Sequence, residues 1–171
     1  LKDRLRGYRD AFADHPDIKV SEIVDIKGDP NVAFDAARRL LEAKPKVDAF
    51  VCLESISCPE VGEVVNRENM GGKVVIVGMD TDDRTINWIQ KGVISATIAQ
   101  KPFTMAYYGT KLLDDLHHHP PTPLTANWAE NPTAPIPTFV DTGAFIVDKQ
   151  NVQRFLQRNR AAGSQSGQQI Q

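Results

Sequence analysis

Lys73–Pro102, KVVIVGMDTDDRTINWIQKGVISATIAQKP, decides how the rest of the chain is read. Val74, Val75, Ile76 and Val77 form a short apolar run rich in β-branched residues, which predicts a strand buried on both faces, ended by Gly78. Asp80 then falls just past the carboxyl end of that strand. A helix is predicted from Asp82 or Asp83 to Lys91, stopped by Gly92, and a second apolar run from Val93 to Ala99 leads to Gln100. In an open parallel sheet, ligands bind outside the carboxyl ends of the strands, so Asp80 and Gln100 are expected to face one crevice. Alone, Asp80 also reads as a helix cap or turn former. Two polar residues placed alike on consecutive strands favour a site.

The flanking sequence repeats the pattern. Leu1, Leu5, Tyr8 and Phe12 recur three or four residues apart, so the chain opens inside a helix that reaches Ala13. Val20 to Ile26 alternates and reads as a strand. Gly28, Asp29, Pro30 and Asn31 turn the chain into a helix from Val32 to Ala43, closed by Lys44 and Pro45. Ala49 to Leu53 is the next predicted strand, Pro59 to Asn66 a helix, and Gly71 with Gly72 a turn. After Pro102 a helix is predicted from Phe103 to Leu116. His117 to Pro137 holds six of the eleven prolines and reads as an extended connection. Phe139 to Val147 reads as a last strand, Val152 to Arg158 as one or two helical turns, and Ala161 to Gln171 as a disordered polar tail. Strands alternating with helices over short connections define an α/β fold with a doubly wound parallel sheet and right-handed crossovers.

The bulk numbers bound the function. With 171 residues, 41% hydrophobic and 25% charged, the chain can bury one ordinary core. A net charge of -2 gives no electrostatic footprint for nucleic acid or an anionic membrane. No apolar run approaches the roughly 20 residues of a membrane span, and the chain does not open with a charged region followed by an apolar segment, so no signal peptide is visible. The two cysteines, Cys52 and Cys58, match no zinc pattern, and no metal or cofactor is expected. Cys52 reads as a small core residue and Cys58 opens the next helix; a local disulfide across the turn between them stays open for an oxidising compartment.

One element is missing from this layout. A doubly wound domain ordinarily starts with a central strand, whereas here a helix comes first. A sheet without its middle strand leaves apolar faces and backbone groups unpaired, so the polypeptide is expected to be a piece of a longer one.

These residues resemble a known family. Arg4-x-x-Gly7-Tyr8-x-x-Ala11-Phe12, Asp29-Pro30-Asn31 before a helix ending Leu40-Leu41-Glu42-Ala43, Asp48-Ala49-Phe50-Val51, Val77-Gly78-Met79-Asp80 and Ala96-Thr97-Ile98-Ala99-Gln100-x-Pro102 carry the resemblance. Together they are similar to the second, C-terminal lobe of type I periplasmic sugar-binding proteins such as the ribose-binding and autoinducer-2-binding proteins, from Leu1 to about Val152. The resemblance implies two lobes joined by hinge strands and closing over a sugar or related polyol. It places the second lobe at residues 1–100 and, at 101–136, a helix and connection packing on the first lobe. Residues 137–158 would be a returning hinge strand and the last helical turns, with Asp141-Thr142-Gly143 near a hinge, and 159–171 a disordered tail.

Carried over residue by residue, the resemblance implies that Arg4, Asp80 and Gln100 bind the sugar, with Glu54 standing where relatives have asparagine or aspartate. Planar guanidinium, carboxylate and amide groups can each hold two neighbouring hydroxyls. Where ribose binders place a stacking phenylalanine this chain has Gly28 and Asp29, so the ligand is expected to differ from ribose. The turn Glu54-Ser55-Ile56-Ser57-Cys58-Pro59-Glu60 is longer than theirs, and Ser55 and Ser57 compete with Glu54 for the site. Glu54 also reads as a solvated turn acid, Arg4 as a surface arginine beside Arg6 and Arg9, and Gln100 as a hinge residue bonding the backbone.

Other conspicuous residues have plainer readings. His117, His118 and His119 at a helix end point in different directions and complement the helix dipole, Trp88 packs on the sheet, and Trp128 pins the proline-rich connection. Asp80 with Lys101-Pro102 lacks the acidic pair of a phosphoacceptor receiver. No nucleophile triad or phosphate-cradling loop appears, so no enzyme is expected. The function the resemblance implies is that of a solute-binding protein of a bacterial ABC transporter, periplasmic or lipid-anchored outside the inner membrane, with a permease as partner. The ligand-sensing domain of a receptor kinase, or of a repressor like the lactose repressor, is the alternative, since the second lobe looks alike in all three.

Overall fold

Leu5, Tyr8 and Phe12 do fall on one face of a helix, α1 (Lys2–Ala13), though none of its residues is fully buried. The computed structural model describes residues 1–44, 46–120, 127–131, 133–134 and 136–166. Two compact units emerge: Leu1–Ala99 with the chain from Ile146 onward, and Gln100–Phe145.

In the first unit α1 is followed by α2 (Pro30–Glu42), β1 (Ala49–Val51), α3 (Ser57–Arg67), β2 (Val75–Met79), α4 (Asp83–Lys91) and β3 (Ala96–Ala99). Local chemistry sets the helix ends. Asp29 caps α2 by accepting the Asn31 amide at 2.8 Å, with Pro30 supplying a fixed φ at the first position. Asp82 caps α4 by accepting the Thr85 amide at 3.0 Å, and Gly92 closes it in the left-handed conformation, φ 76°. The second unit holds α5 (Pro102–His118) and a short 3-10 turn at Trp128–Glu130. β4 (Phe145–Asp148) and α6 (Val152–Ser166) end the described chain.

The four strands lie in the order β1-β2-β3-β4. β1 and β2 are parallel, Ala49 opposite Val75 and Val51 opposite Val77; β2 and β3 are parallel, Val77 opposite Ala96 and Met79 opposite Ile98. Ile76, Gly78, Thr97 and Val147 are buried against a helix layer in which α2 packs on α3, α3 on α4 and α4 on α6. Ile76, Ile89, Ile94, Val65 and Val147 are completely buried there. α3 comes closest to the sheet at Gly78, where any β-carbon would overlap the Cys58 sulfur.

Several expectations are corrected. β2 is fully buried on one face only: on the other, Val75 is 49% exposed, Val77 is half-buried and Met79 buried, and Val51 of β1, opposite Val77, is 36% exposed. The strand also continues through Gly78 to Met79, because a glycine under a closely packed helix can stay in the ladder. Val93 and Ile94 precede β3 without joining it, since Gly92 and the bonds from the Val93 and Ile94 amides to Trp88 O still belong to the end of α4, and only from Ser95, whose amide donates to Ile76 O, does the chain meet β2. The last strand begins at Phe145, six residues later than its composition predicts. Residues 159–166, expected to be disordered, are helical: α6 docks through Val152, Phe155 and Leu156, and the arginine, alanine and glutamine that follow propagate an already nucleated helix at little cost. Residues 167–171 and 121–126 lie outside the described residues.

The largest correction concerns Val20 to Ile26. It joins no ladder, and Ile18, Val20 and Ile23 are each about half exposed, at 48%, 50% and 50%. β-propensity records how well a side chain fits a pleated neighbour, and no neighbour is there. Between this segment and the free edge of β1 lies a hollow of ≈ 410 Å³, lined by Leu5, Tyr8 and Phe12 of α1, Ala37 and Leu40 of α2, and Val51 of β1.

Because Ile89 is fully buried between α4 and the sheet, Ile89→Ala is expected to lower stability by about 2–5 kcal/mol, whereas Gln90→Ala on the exposed side changes it by less than about 0.5 kcal/mol. Urea unfolding followed by circular dichroism checks both, with the midpoint falling and the slope constant.

Candidate ligand-binding site at the strand ends

Asp80 is the first residue past β2, and β3 holds it in place from two directions. Its amide donates to Ile98 O at 2.9 Å, and its carbonyl accepts the Thr97 hydroxyl at 2.7 Å. Between these bonds its φ is 69°, in the left-handed region that aspartate tolerates better than most residues. The half-buried side chain is therefore carried by a backbone with little freedom to turn.

Arg4 projects from the first turn of α1 to the end of β1, where its Nη1 donates to Leu53 O at 2.7 Å. That bond brings the guanidinium to the turn that contains Glu54 and Ser55, both half-buried. One N–H is used by the carbonyl, and a guanidinium has five. The turn is closed from within, as the Ser57 hydroxyl donates to Glu54 O at 3.1 Å. Ser57 is thereby committed to its own backbone at 9% exposure, which leaves Ser55 as the serine available to a ligand. Gln100 directly follows β3, half-buried, as the first residue of the second unit.

The structure thus brings Arg4 together with the Glu54–Ser55 turn, and fixes Asp80 on the end of β3. Asp80 and Gln100 follow the carboxyl ends of neighbouring parallel strands, as the register Met79 opposite Ile98 requires. Thr97 is the residue that sequence reading missed. It is fully buried, and a β-branched residue inside a strand carries no signal separating it from core.

Other residues resolve as packing. Trp88, 7% exposed, presses against Gly62 of α3, and Lys91 Nζ stands 4.6 Å from its ring centroid. His118 Nδ1 lies 3.0 Å from Asp114 O on its own helix. Among the described residues no group of three or more histidine, cysteine or acidic side chains is placed to hold a metal, and no helix is long and apolar enough to cross a membrane.

In a parallel α/β lobe, the carboxyl ends of the strands are the edge at which such sheets bind ligands. Residues 1–118 match the model of the periplasmic binding protein domain, and the chain belongs to that family, in its type I sugar-binding branch. Among solved structures, a sugar-binding protein of a sugar ABC transporter from Bacillus halodurans superposes with a TM-score of 0.75 at 32% identity, over 90% of this chain and 52% of that one. An arabinose-binding protein from Geobacillus stearothermophilus gives 0.73 at 29% identity, over 90% and 51%. The D-allose-binding periplasmic protein of Escherichia coli is 29% identical over 112 residues, 66% of this chain and 36% of that protein. The chain spans about half the length of these solved relatives and about a third of the curated one, as one lobe of a type I binding protein does.

Removing the hydroxyl beneath Asp80 is expected to loosen this end of the sheet. Thr97→Val, equal in shape, should cost about 1–3 kcal/mol by leaving the Asp80 carbonyl without its donor, and Thr97→Ser should recover most of it. Chemical denaturation of the two variants side by side measures the difference.

Proposed function

We propose that this chain is the second lobe of a solute-binding protein serving a bacterial ABC transporter, working outside the cytoplasm and capturing a sugar or related polyol between two hinged lobes. The observation that carries the reading is the clamped Asp80, a carboxylate on a strained backbone at the end of β2. Strain of this kind persists where a side chain must be aimed. Asp80, Gln100 and Arg4, with Glu54 and Ser55 from the adjoining turn, are the proposed ligand contacts. No catalytic step is part of the reading. The carboxylate accepts from two vicinal hydroxyls, the amide accepts from one and donates to its neighbour, and the guanidinium donates to ring or hydroxyl oxygens. An epimer with one hydroxyl reversed leaves one of these groups unpaired in a closed cleft, which is the source of selectivity.

Two further features support a longer, two-lobed polypeptide. The hollow beside β1 has the apolar lining and open backbone edge that an additional parallel strand would fill. Helix α5 buries none of its residues and leaves Phe103, Tyr107 and Leu113 exposed at 83%, 57% and 70%, as a helix would if it packed on another lobe. Closing the lobes excludes water and presents the surface that a membrane permease would recognise.

Titration calorimetry of the whole protein against allose, arabinose, galactose, glucose and ribose tests the reading. At least one of the first four is expected to bind more tightly than ribose. Asp80→Asn, which tolerates the same φ, should leave the fold intact and weaken that sugar about 10- to 100-fold. Equal affinity in the variant would remove Asp80 from the site.

A further inference from the structure

Cys52 and Cys58 stand over the same point of the sheet. Cys52 is the residue after β1, and its amide donates to Val77 O at 2.8 Å, which continues the register so that Cys52 lies opposite Gly78. Residues opposite each other in a parallel pair put their side chains on one face, about 4.8 Å apart. The Cys58 sulfur, brought down by the first turn of α3, occupies the space where a β-carbon on Gly78 would be. Both residues are buried, at 4% and 0% exposure. A cystine bridges β-carbons about 3.8 Å apart, a span that two side chains meeting over one glycine can reach.

We propose that Cys52 and Cys58 form an intramolecular disulfide that ties the end of β1 to the first turn of α3. The thiols are free in this structure. The oxidant would be an external disulfide, R–S–S–R. The Cys52 thiolate attacks one of its sulfurs and expels RS⁻; Cys58 then loses its proton and attacks Cys52 Sγ, expelling the second RS⁻. Two protein thiols become one disulfide, and the oxidant leaves as two molecules of R–SH. Cys52 is the attacking partner, because at 4% exposure against 0% for Cys58 it is the less enclosed of the two. The neighbouring Cys52 thiol and burial together push the Cys58 thiol above its ordinary range, which supports this order.

The bond would close a loop around Leu53–Ser57. That turn carries Glu54 and Ser55, and its Leu53 carbonyl anchors Arg4. Fixing both of its ends removes conformations from the turn before any ligand arrives. The inference stands on the placement of the two sulfurs and survives if the ligand proves not to be a sugar.

The test treats the intact polypeptide with oxidised glutathione, then denatures and alkylates it without reductant. The expected product is a monomer lighter by about 2 Da with no alkylated cysteine, against two alkylated cysteines after reduction. Cleavage after Glu54 should leave the flanking peptides joined until a reductant is added. Cys58→Ser should stop at the mixed disulfide of Cys52 with glutathione. Two alkylatable thiols in the oxidised wild-type chain, a wild-type product halted at the glutathione adduct, or a disulfide-linked dimer would each overturn the proposal.

Discussion

The approach of α3 onto β2 at Gly78 is the contact on which the other placements depend. A helix can come this near a sheet only where one residue has no side chain, and the Cys58 sulfur fills the space so released. With α3 set at that depth, the turn from Leu53 to Ser57 has a fixed start at the end of β1 and a fixed finish at the first helical turn. Its internal bond, Ser57 to the Glu54 carbonyl, and its external one, Arg4 to the Leu53 carbonyl, then follow as ways of satisfying backbone groups away from any ladder. The same depth brings Gly62 of α3 against Trp88 of α4, so one helix spacing propagates along the layer.

Parallel pairing supplies the second constraint. Because β1, β2 and β3 run the same way, every loop that follows a strand emerges on one edge, and Cys52, Asp80 and Gln100 are each the first residue beyond a strand. The edge is stiff at Asp80 because β3 holds its backbone through Ile98 and Thr97. A binding site built on strand ends thus gains orientation from the sheet itself.

The open features have a common origin. The exposed face bearing Val51 and Val75, the unpaired edge of β1 and the unpaired Val20–Ile26 segment all lack covering elements among the described residues. The solved relatives are about twice as long as this chain. The helix layer is different: α2, α3, α4 and α6 enclose a continuous core that uses only residues of this chain.

Helices were legible from the sequence because their signals are local. Asp29 and Asp82 as caps, Pro30 at a first turn and Gly92 at a last one act over one turn of chain, so α2 and α4 follow from neighbours alone. The strand-to-helix rhythm gave the α/β class for the same reason, and with it the prospect of polar residues at strand ends. Strand existence and extent were not local. Val20–Ile26 has the composition of a strand and is not one, while Gly78 looks like an end and lies within β2, because a strand is defined by what lies beside it. The Thr97 bond to Asp80, the seat of Arg4 on Leu53 and the meeting of Cys52 with Cys58 over Gly78 join residues 17, 49 and 6 positions apart along the chain. Only the packed sheet and helix layer bring those groups within bonding distance, and such distances are set by tertiary packing, which no residue carries by itself.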